Sequence, residues 1–406
     1  MKRLTSSVRI CGLAFLAATG LLAQSPDFPK GTATESSACG ACHEAIYREF
    51  AHGFGSDIHN KPTTLPGQGA KLLDAGASVS ATATAHAFAG TDNFPLHARG
   101  QEEEGRSCNV CHFPQPFAIP DLAAAEMAKP VARPKDLEAG GLTCASCHLR
   151  PDGKIRGPHA VQNAPHAVIQ EPAIQTSAMC ATCHSMGQRI SGKQTQTFFE
   201  WREDFSKPGL GKQQCQDCHM PRTVRKVAEA FDAPERAVAR HLWTGGRSLQ
   251  RLQSALSLVA VRPDSAKSAF DLHLINIGAG HSVPTGSNRR AVYLLAEISD
   301  AAGRIVAARD WMFAPWYGPR PDDKSFLEKD KSRPDAVAAM QADAQGPHEA
   351  PIRAGEERVL AWAPALKSGI YTLKMRLVYD LNRYNDRAIT EDQTEFNHTS
   401  LTFKVD

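Results

Sequence analysis

Ten cysteines and five histidines of this chain stand in one repeated arrangement, Cys-x-x-Cys-His. The copies are CGACH (Cys39, Cys42, His43), CNVCH (Cys108, Cys111, His112), CASCH (Cys144, Cys147, His148), CATCH (Cys180, Cys183, His184) and CQDCH (Cys215, Cys218, His219). The remaining cysteine, Cys11, lies near the amino terminus. Two thiols at this spacing can add across the two vinyl groups of one haem, and the next imidazole then lies beneath the iron as proximal ligand. Competing chemistries use less of the pattern. Disulfide frameworks do not require a histidine after every second cysteine. Cys₄ zinc sites do not require one either, and a thioredoxin-like redox pair normally occurs once, ahead of a helix. Five copies that use every cysteine after Cys11 point to five covalently attached haem c groups, each with its iron.

The residue on the other face of each iron decides what such a centre does. A second histidine closes it and leaves an electron carrier; an open face permits catalysis. The chain has 16 histidines, so eleven remain beyond the five in the motifs, which is ample for complete bis-His ligation. We expect His59 in GFGSDIHN, with His52 as rival; His97, with His86 as rival; His166 in NAPHAV, with His159 as rival; and His241 in RHLWTGG. His281 sits in NIGAGHSVPTG, a Gly- and Pro-rich loop that can project a side chain into a haem pocket. His273 falls inside an alternating run and is expected as an ordinary sheet histidine. Methionine could substitute and would raise the potential. Met179, Met186 and Met220 adjoin motifs, but that adjacency does not place a side chain on the opposite haem face. Each haem also brings two propionates, about ten negative charges in all. Arg106, Arg150 and Arg156 lie near motifs and could pair with them, although a solvated surface position is the expectation.

Elements must position these groups. The last four motifs recur at near-constant spacing, which reads as a dense array of cofactors and not as a solenoid. GACHEAIYREFAH carries Ile46 and Phe50 four apart, a helical spacing, and FFEWREDF (198–205) is a second helix. Segments 113–120, 129–134 and 149–158 are rich in Pro or Gly and read as loop, as does 80–90. Porphyrins supply the apolar area that side chains would otherwise provide. Beyond Cys218 the pattern changes. LSLVAV (256–261), FDLHLINI (270–277), YLLAEI (293–298) and YTLKMRLVY (371–379) alternate as strands do. About seven strands in an antiparallel β-sandwich are expected, with 314–356 as surface loop and a helical linker within 225–250. The fold class is α+β: a loop- and short-helix-rich multihaem domain over 24–250, then a β-sandwich-like domain over 251–406.

Residues 1–23 read as a signal peptide, a basic start followed by the apolar run CGLAFLAATGLLA, too short for a membrane span. Nothing later is long and apolar enough to be one. The formal net charge is +3 from 46 basic and 43 acidic residues, and removing Lys2, Arg3 and Arg9 with the segment leaves 43 of each. A neutral mature chain gives no reason to expect nucleic-acid binding. The protein is expected outside the cytoplasm, in the periplasm or at the outer surface.

The motifs resemble those of multihaem c-type cytochromes. GLTCASCHLRPDGKIRGP followed by APHAV, then MCATCH, then EWR ahead of QCQDCHMP, is similar to a bacterial pentahaem cytochrome family. That family is distantly similar to the tetrahaem cytochrome of ammonia oxidisers and to hydroxylamine oxidoreductase. NIGAGHSVPTG resembles a loop of the β-rich carboxy-terminal domains of such proteins, and the resemblance spans about 36–290. It implies His166, His241 and His281 as distal ligands. Pentahaem nitrite reductases share the haem number, but their active-site motif ends in Lys, whereas all five motifs here end in His.

The expectation is an exported electron carrier with closely packed, mostly bis-His haems of low potential. Its partners would be redox proteins, either other cytochromes or a quinol-oxidising membrane complex. The alternatives are an oxidoreductase acting on a small nitrogen or sulfur compound at one open haem, and a subunit of an extracellular filament. In the filament, one subunit would lend a histidine to the next. No P-loop or dinucleotide fingerprint occurs, and YDLNRYND (379–386) reads as solvated loop rather than a calcium site.

Overall fold

The structure, a computed structural model, describes residues 36–52, 144–150, 152–162, 164–184, 197–246, 248–264, 268–286, 290–315, 349–381, 383 and 393–406. The segment 1–23, the second motif, the loops at 80–90 and 113–134 and most of 314–356 lie outside them.

The amino-terminal part is built from short pieces, several of them made by the motifs themselves. α1 (Ser36–Gly40) ends between the two cysteines of the first motif, and α2 (Glu44–His52) starts directly after His43. α3 (Cys144–His148) is the third motif and nothing more. One helical turn is what the motif requires, because residues i, i+3 and i+4 share a face and so present both thiols and the imidazole together. A short parallel pair follows, β1 (Ile155–Gly157) with β2 (Val168–Gln170). α4 (Ala178–His184) ends in the fourth motif. α5 (Thr197–Glu200) continues into a π-helical turn over Trp201–Ser206, as the FFEWREDF pattern predicts. α6 (Cys215–His219) is the fifth motif.

The region expected to be a helical linker is different. Residues 222–239 form an antiparallel hairpin of β3 (Arg222–Arg225) and β4 (Arg236–Ala239). Along β3 the exposed Arg222 and Val224 alternate with the half-buried Thr223 and Arg225, a period of two rather than 3.6. The helix comes later, as α7 (Leu249–Ala255). Its Ser248 cap accepts from the Arg251 N–H at 3.4 Å.

Seven strands complete the chain: β5 (Leu256–Val261), β6 (Phe270–Asn276), β7 (Ala291–Asp300), β8 (Ile305–Phe313), β9 (Glu357–Trp362), β10 (Gly369–Asp380) and β11 (Gln393–Val405). They make two antiparallel sheets, β5-β6-β9 and β11-β10-β7-β8. The alternating positions of β6 (Phe270, Leu272, Leu274) meet those of β7 (Leu294, Ala296, Ile298) and β10 (Leu373, Met375, Leu377) in one core. Leu252 and Ala255 of α7 join that core, so the helix belongs to the β unit. Among the described residues no helix is long and apolar enough to cross a membrane.

Candidate haem sites

Three of the motif histidines face a second histidine brought from elsewhere in the chain. His43 faces His166 with ring centres 6.3 Å apart, His148 faces His241 at 6.0 Å, and His219 faces His281 at 6.1 Å. The distances can be tested against a metal between the rings. A metal–imidazole bond of about 2.0–2.1 Å on each side, added to the depth of two rings, spans roughly 6 Å. The interplanar angles are 49°, 34° and 12°.

Five of the six outer nitrogens are hydrogen-bonded in the way metal-bound imidazoles require, and Nδ1 of His166 is the exception. Nδ1 of His43 donates to the Val227 carbonyl (2.6 Å), that of His148 to Arg156 (3.0 Å) and that of His219 to Thr244 (2.5 Å). Nδ1 of His241 donates to Ala239 (3.1 Å) and that of His281 to Ser282 (2.9 Å). A hydrogen bond at Nδ1 fixes the tautomer and leaves the Nε2 lone pair for the metal. The electrostatics agree. Burial, then the neighbouring His281 ring, pushes His219 down to about 4, and burial, then His148, pushes His241 down to about 4. Burial also lowers His148, His166 and His281. In each case burial favours the neutral imidazole, the form that binds a metal. Among the described residues, Cys39, Cys42, Cys144, Cys147, Cys180, Cys215 and Cys218 are thiols and not disulfides. The donor set and its spacing fit haem c.

Each distal histidine has its own support. His166 precedes the fourth motif in sequence, yet the β1–β2 pair carries it over the first. His241 follows the β3–β4 hairpin. Its main-chain N–H donates to a carboxylate oxygen of Glu49 (3.0 Å), and its ring meets Trp243 edge to face at 5.4 Å. Burial raises the Glu49 carboxyl, but hydrogen bonds from Arg225, Arg240 and His241 more than offset that and hold it below the ordinary range.

His281 hangs from the end of β6. Buried Asn276 donates through Nδ2 to the carbonyls of His281 (2.9 Å) and Ile352 (3.0 Å) and accepts from the Ala279 N–H (3.1 Å). Glycine is required at 278, where a Cβ would meet the Ser254 carbonyl oxygen at 1.7 Å. On the other side, Glu200 of α5 accepts from the Ser282 N–H (3.1 Å) and from Thr285 Oγ1 (2.7 Å).

The motifs also touch one another. Cys39 of the first motif lies beside Cys144 of the third, and Cys215 of the fifth beside Cys180 of the fourth. Ser177, just ahead of α4, accepts from the Cys215 N–H through its hydroxyl (3.0 Å) and donates its own N–H to Gln214 Oε1 (2.8 Å). Segment 241–244 begins at His241, opposite His148, and ends at Thr244, whose carbonyl accepts the hydrogen bond from His219 Nδ1. The first motif thus touches the third, the fourth touches the fifth, and segment 241–244 reaches both the third and the fifth.

His184 ends α4 at an exposed position beside the His219 site. Cys108, Cys111, His112, His59 and His97 lie outside the described residues, as do the side chains of Cys183 and His52. His159 makes no ring contact with a motif histidine among the described residues. His273 is a sheet residue whose Nδ1 faces Glu357 at 2.6 Å. Arg150 lies at the surface side with Asp152 and Glu171. Arg156 departs from the expected solvated position. It is fully buried, 3.8 Å from Glu171, because β1 carries its carbonyl to His148 and takes the side chain inward. Glu49, Glu200 and Asn276 were not singled out from the sequence. A usable signal was present for Asn276, an amide at the start of the loop that carries His281.

Among solved structures the fold is similar to that of a penta-heme cytochrome c552 from Thermochromatium tepidum. The TM-score is 0.53 at 17% identity, over 91% of this chain and 99% of that one. The C-terminal domain of wzt matches more weakly, with a TM-score of 0.20 at 14% identity over 37% of this chain and 70% of that one. No protein-family model matches the chain, and no curated protein does. The likeness to the penta-heme cytochrome c552 shows a shared overall fold.

Proposed function

We propose that this chain is an exported pentahaem c-type cytochrome that carries electrons between redox proteins. The observation that carries the reading is the set of three histidine pairs, each joining a Cys-x-x-Cys-His imidazole to a distant one at 6.0–6.3 Å. Haem iron supplies one-electron exchange between its ferric and ferrous states. The chain's residues do the rest. Ten thiols tether five haems. At three sites paired imidazoles would hold the iron, which would keep small ligands out and hold the potential low, since imidazole lacks the potential-raising effect of methionine.

Adjoining motifs support a path that runs through the first, third, fifth and fourth sites, with the second motif completing the set and His59 and His97 remaining as expected distal ligands. The basic and apolar segment 1–23 supports delivery to the periplasm or the cell surface. Partners would be other cytochromes or a quinol-oxidising membrane complex. Kinship with the tetrahaem cytochrome of ammonia oxidisers and hydroxylamine oxidoreductase rests on the motifs.

Pyridine haemochrome analysis of the exported protein, set against its mass, is expected to give five haems per chain, with a ferric spectrum dominated by low-spin iron. Haem-free protein, or a predominantly high-spin spectrum, would overturn the reading.

A further inference from the structure

We propose that Glu49 is a positioning residue that holds His241 in place as the distal ligand opposite His148. This rests on the bis-His reading given above. Glu49 lies on α2, the helix that leaves the first motif, yet all its partners belong to the structure around His241. Its Oε1 accepts from Arg225 Nη1 (2.8 Å) and Arg240 Nε (2.8 Å). Its Oε2 accepts from Arg225 Nη2 (2.7 Å) and from the main-chain N–H of His241 (3.0 Å). Two oxygens with four acceptor sites are thereby filled by four donors. The carboxylate is buried at 8% exposure, and the guanidinium side chains keep 17% and 15%, so little water competes for these bonds.

The next residue on α2 adds a second grip. Phe50 meets Trp243 edge to face at 5.5 Å, and Trp243 meets the His241 ring edge to face at 5.4 Å. Trp243 has φ 43°, a left-handed conformation that a bulky residue holds only when its surroundings enforce it. Glu49 takes the main chain at 241, and Phe50 takes the side chain at 243. Between them the imidazole is fixed both in position and in rotation. A ligand held this way needs no rearrangement to reach the metal, which is the work of partners behind a metal-binding histidine.

The test uses purified, exported holoprotein and two variants, Glu49→Gln and Glu49→Asp, with His241→Ala as reference. The glutamine variant keeps the outline of the side chain but gives up the charge and an acceptor oxygen. The aspartate variant keeps the charge, and hence the balance of the buried cluster, but shortens the reach to the His241 N–H. For each, haem content, the high-spin ferric fraction by electron paramagnetic resonance, and carbon monoxide uptake by the reduced protein are read. His241→Ala is expected to open about one haem per chain to carbon monoxide. Both Glu49 variants should retain five haems and open the same single haem, the aspartate variant less than the glutamine one. A Glu49 variant with five haems and a wild-type low-spin spectrum would overturn the proposal. So would a high-spin signal spread over several haems, which marks general loosening. If the glutamine variant does not accumulate, the aspartate variant decides between the same outcomes by the same three readouts. Should His241→Ala leave the spectrum unchanged, His241 is not a ligand and the underlying reading of that site fails. That outcome is distinguished from failure of Glu49 alone by the reference variant.

Discussion

An imidazole binds a metal through one nitrogen and is aimed by the other, so the carbonyls of Val227, Arg156, Thr244, Ala239 and Ser282 matter as much as the rings they hold. Replacing the ligand while keeping its support isolates the ligand's own effect. His281→Met is expected to raise the midpoint potential of a single haem by on the order of 0.1 V, a fraction of the roughly 0.8 V that axial ligands span. A spectropotentiometric titration reads this as one component moving upward while the others stay. Glu200 gives a pH-dependent counterpart. Burial, its largest influence, raises its carboxyl from 4.5 to about 6 in spite of the bonds from Thr285 and Ser282. The folded protein therefore holds this proton more tightly than the unfolded chain does. Stability is greatest below pH 4.5, falls as pH rises towards about 6, and is level above it, by about 2 kcal/mol for this group. Chemical denaturation midpoints across pH 4.5–7.5 should show that fall in the native protein. Glu200→Gln should flatten it.

At the scale of elements, the loop after β6 is the most exacting piece. Asn276 satisfies three main-chain groups that are otherwise enclosed, so Asn276→Ala is expected to cost about 2–3 kcal/mol and to loosen His281. Unfolding followed by far-ultraviolet circular dichroism gives the first quantity, and carbon monoxide uptake by the reduced protein gives the second. The same scale shows where the sequence is legible. β5, β6, β7 and β10 can be read from alternation, and three of them have one face against the core for nearly their whole length. The three strands that alternation does not reveal, β8, β9 and β11, all lie at sheet edges. β8 begins IVAARD with most of that stretch exposed, and β11 mixes Thr, Asn, His and Ser into its length. An edge strand needs fewer apolar positions and carries polar residues that resist pairing with another chain, so its alternation fades. The motif cysteines and histidines are legible because their chemistry is local. Which distal histidine meets which motif is not, since His166 reaches the first motif only through the β1–β2 pair. Glu49 leaves no local mark, because its meaning comes from Arg225 and Arg240 far along the chain.

At the scale of the whole molecule, the described residues contrast a part that makes its own core with one that buries few large apolar side chains. From α7 onward, Leu, Ile, Phe and Trp side chains of both sheets and of α7 enclose one another completely. Before it, the described buried apolar side chains larger than alanine are Phe50, Leu149, Phe198, Val238 and Leu242. At about 25 cal/mol per Å² this described set cannot offset a backbone ordering cost of roughly 1–2 kcal/mol per residue, and the haems proposed above would add several large apolar faces. The two parts should therefore differ in their need for haem. Chain produced where haem is not attached is expected to lose its first 240 or so residues to a low dose of protease, while a carboxy-terminal fragment beginning near α7 persists. Holoprotein at the same dose should keep both parts. Intact-mass analysis over time reads the fragment boundary. Equal digestion of the two parts in the haem-free chain would mean that the sandwich, too, depends on the haems, and that its contacts through the His281 loop, Glu200 and Thr197 with Thr285 bind the molecule into a single cooperative unit.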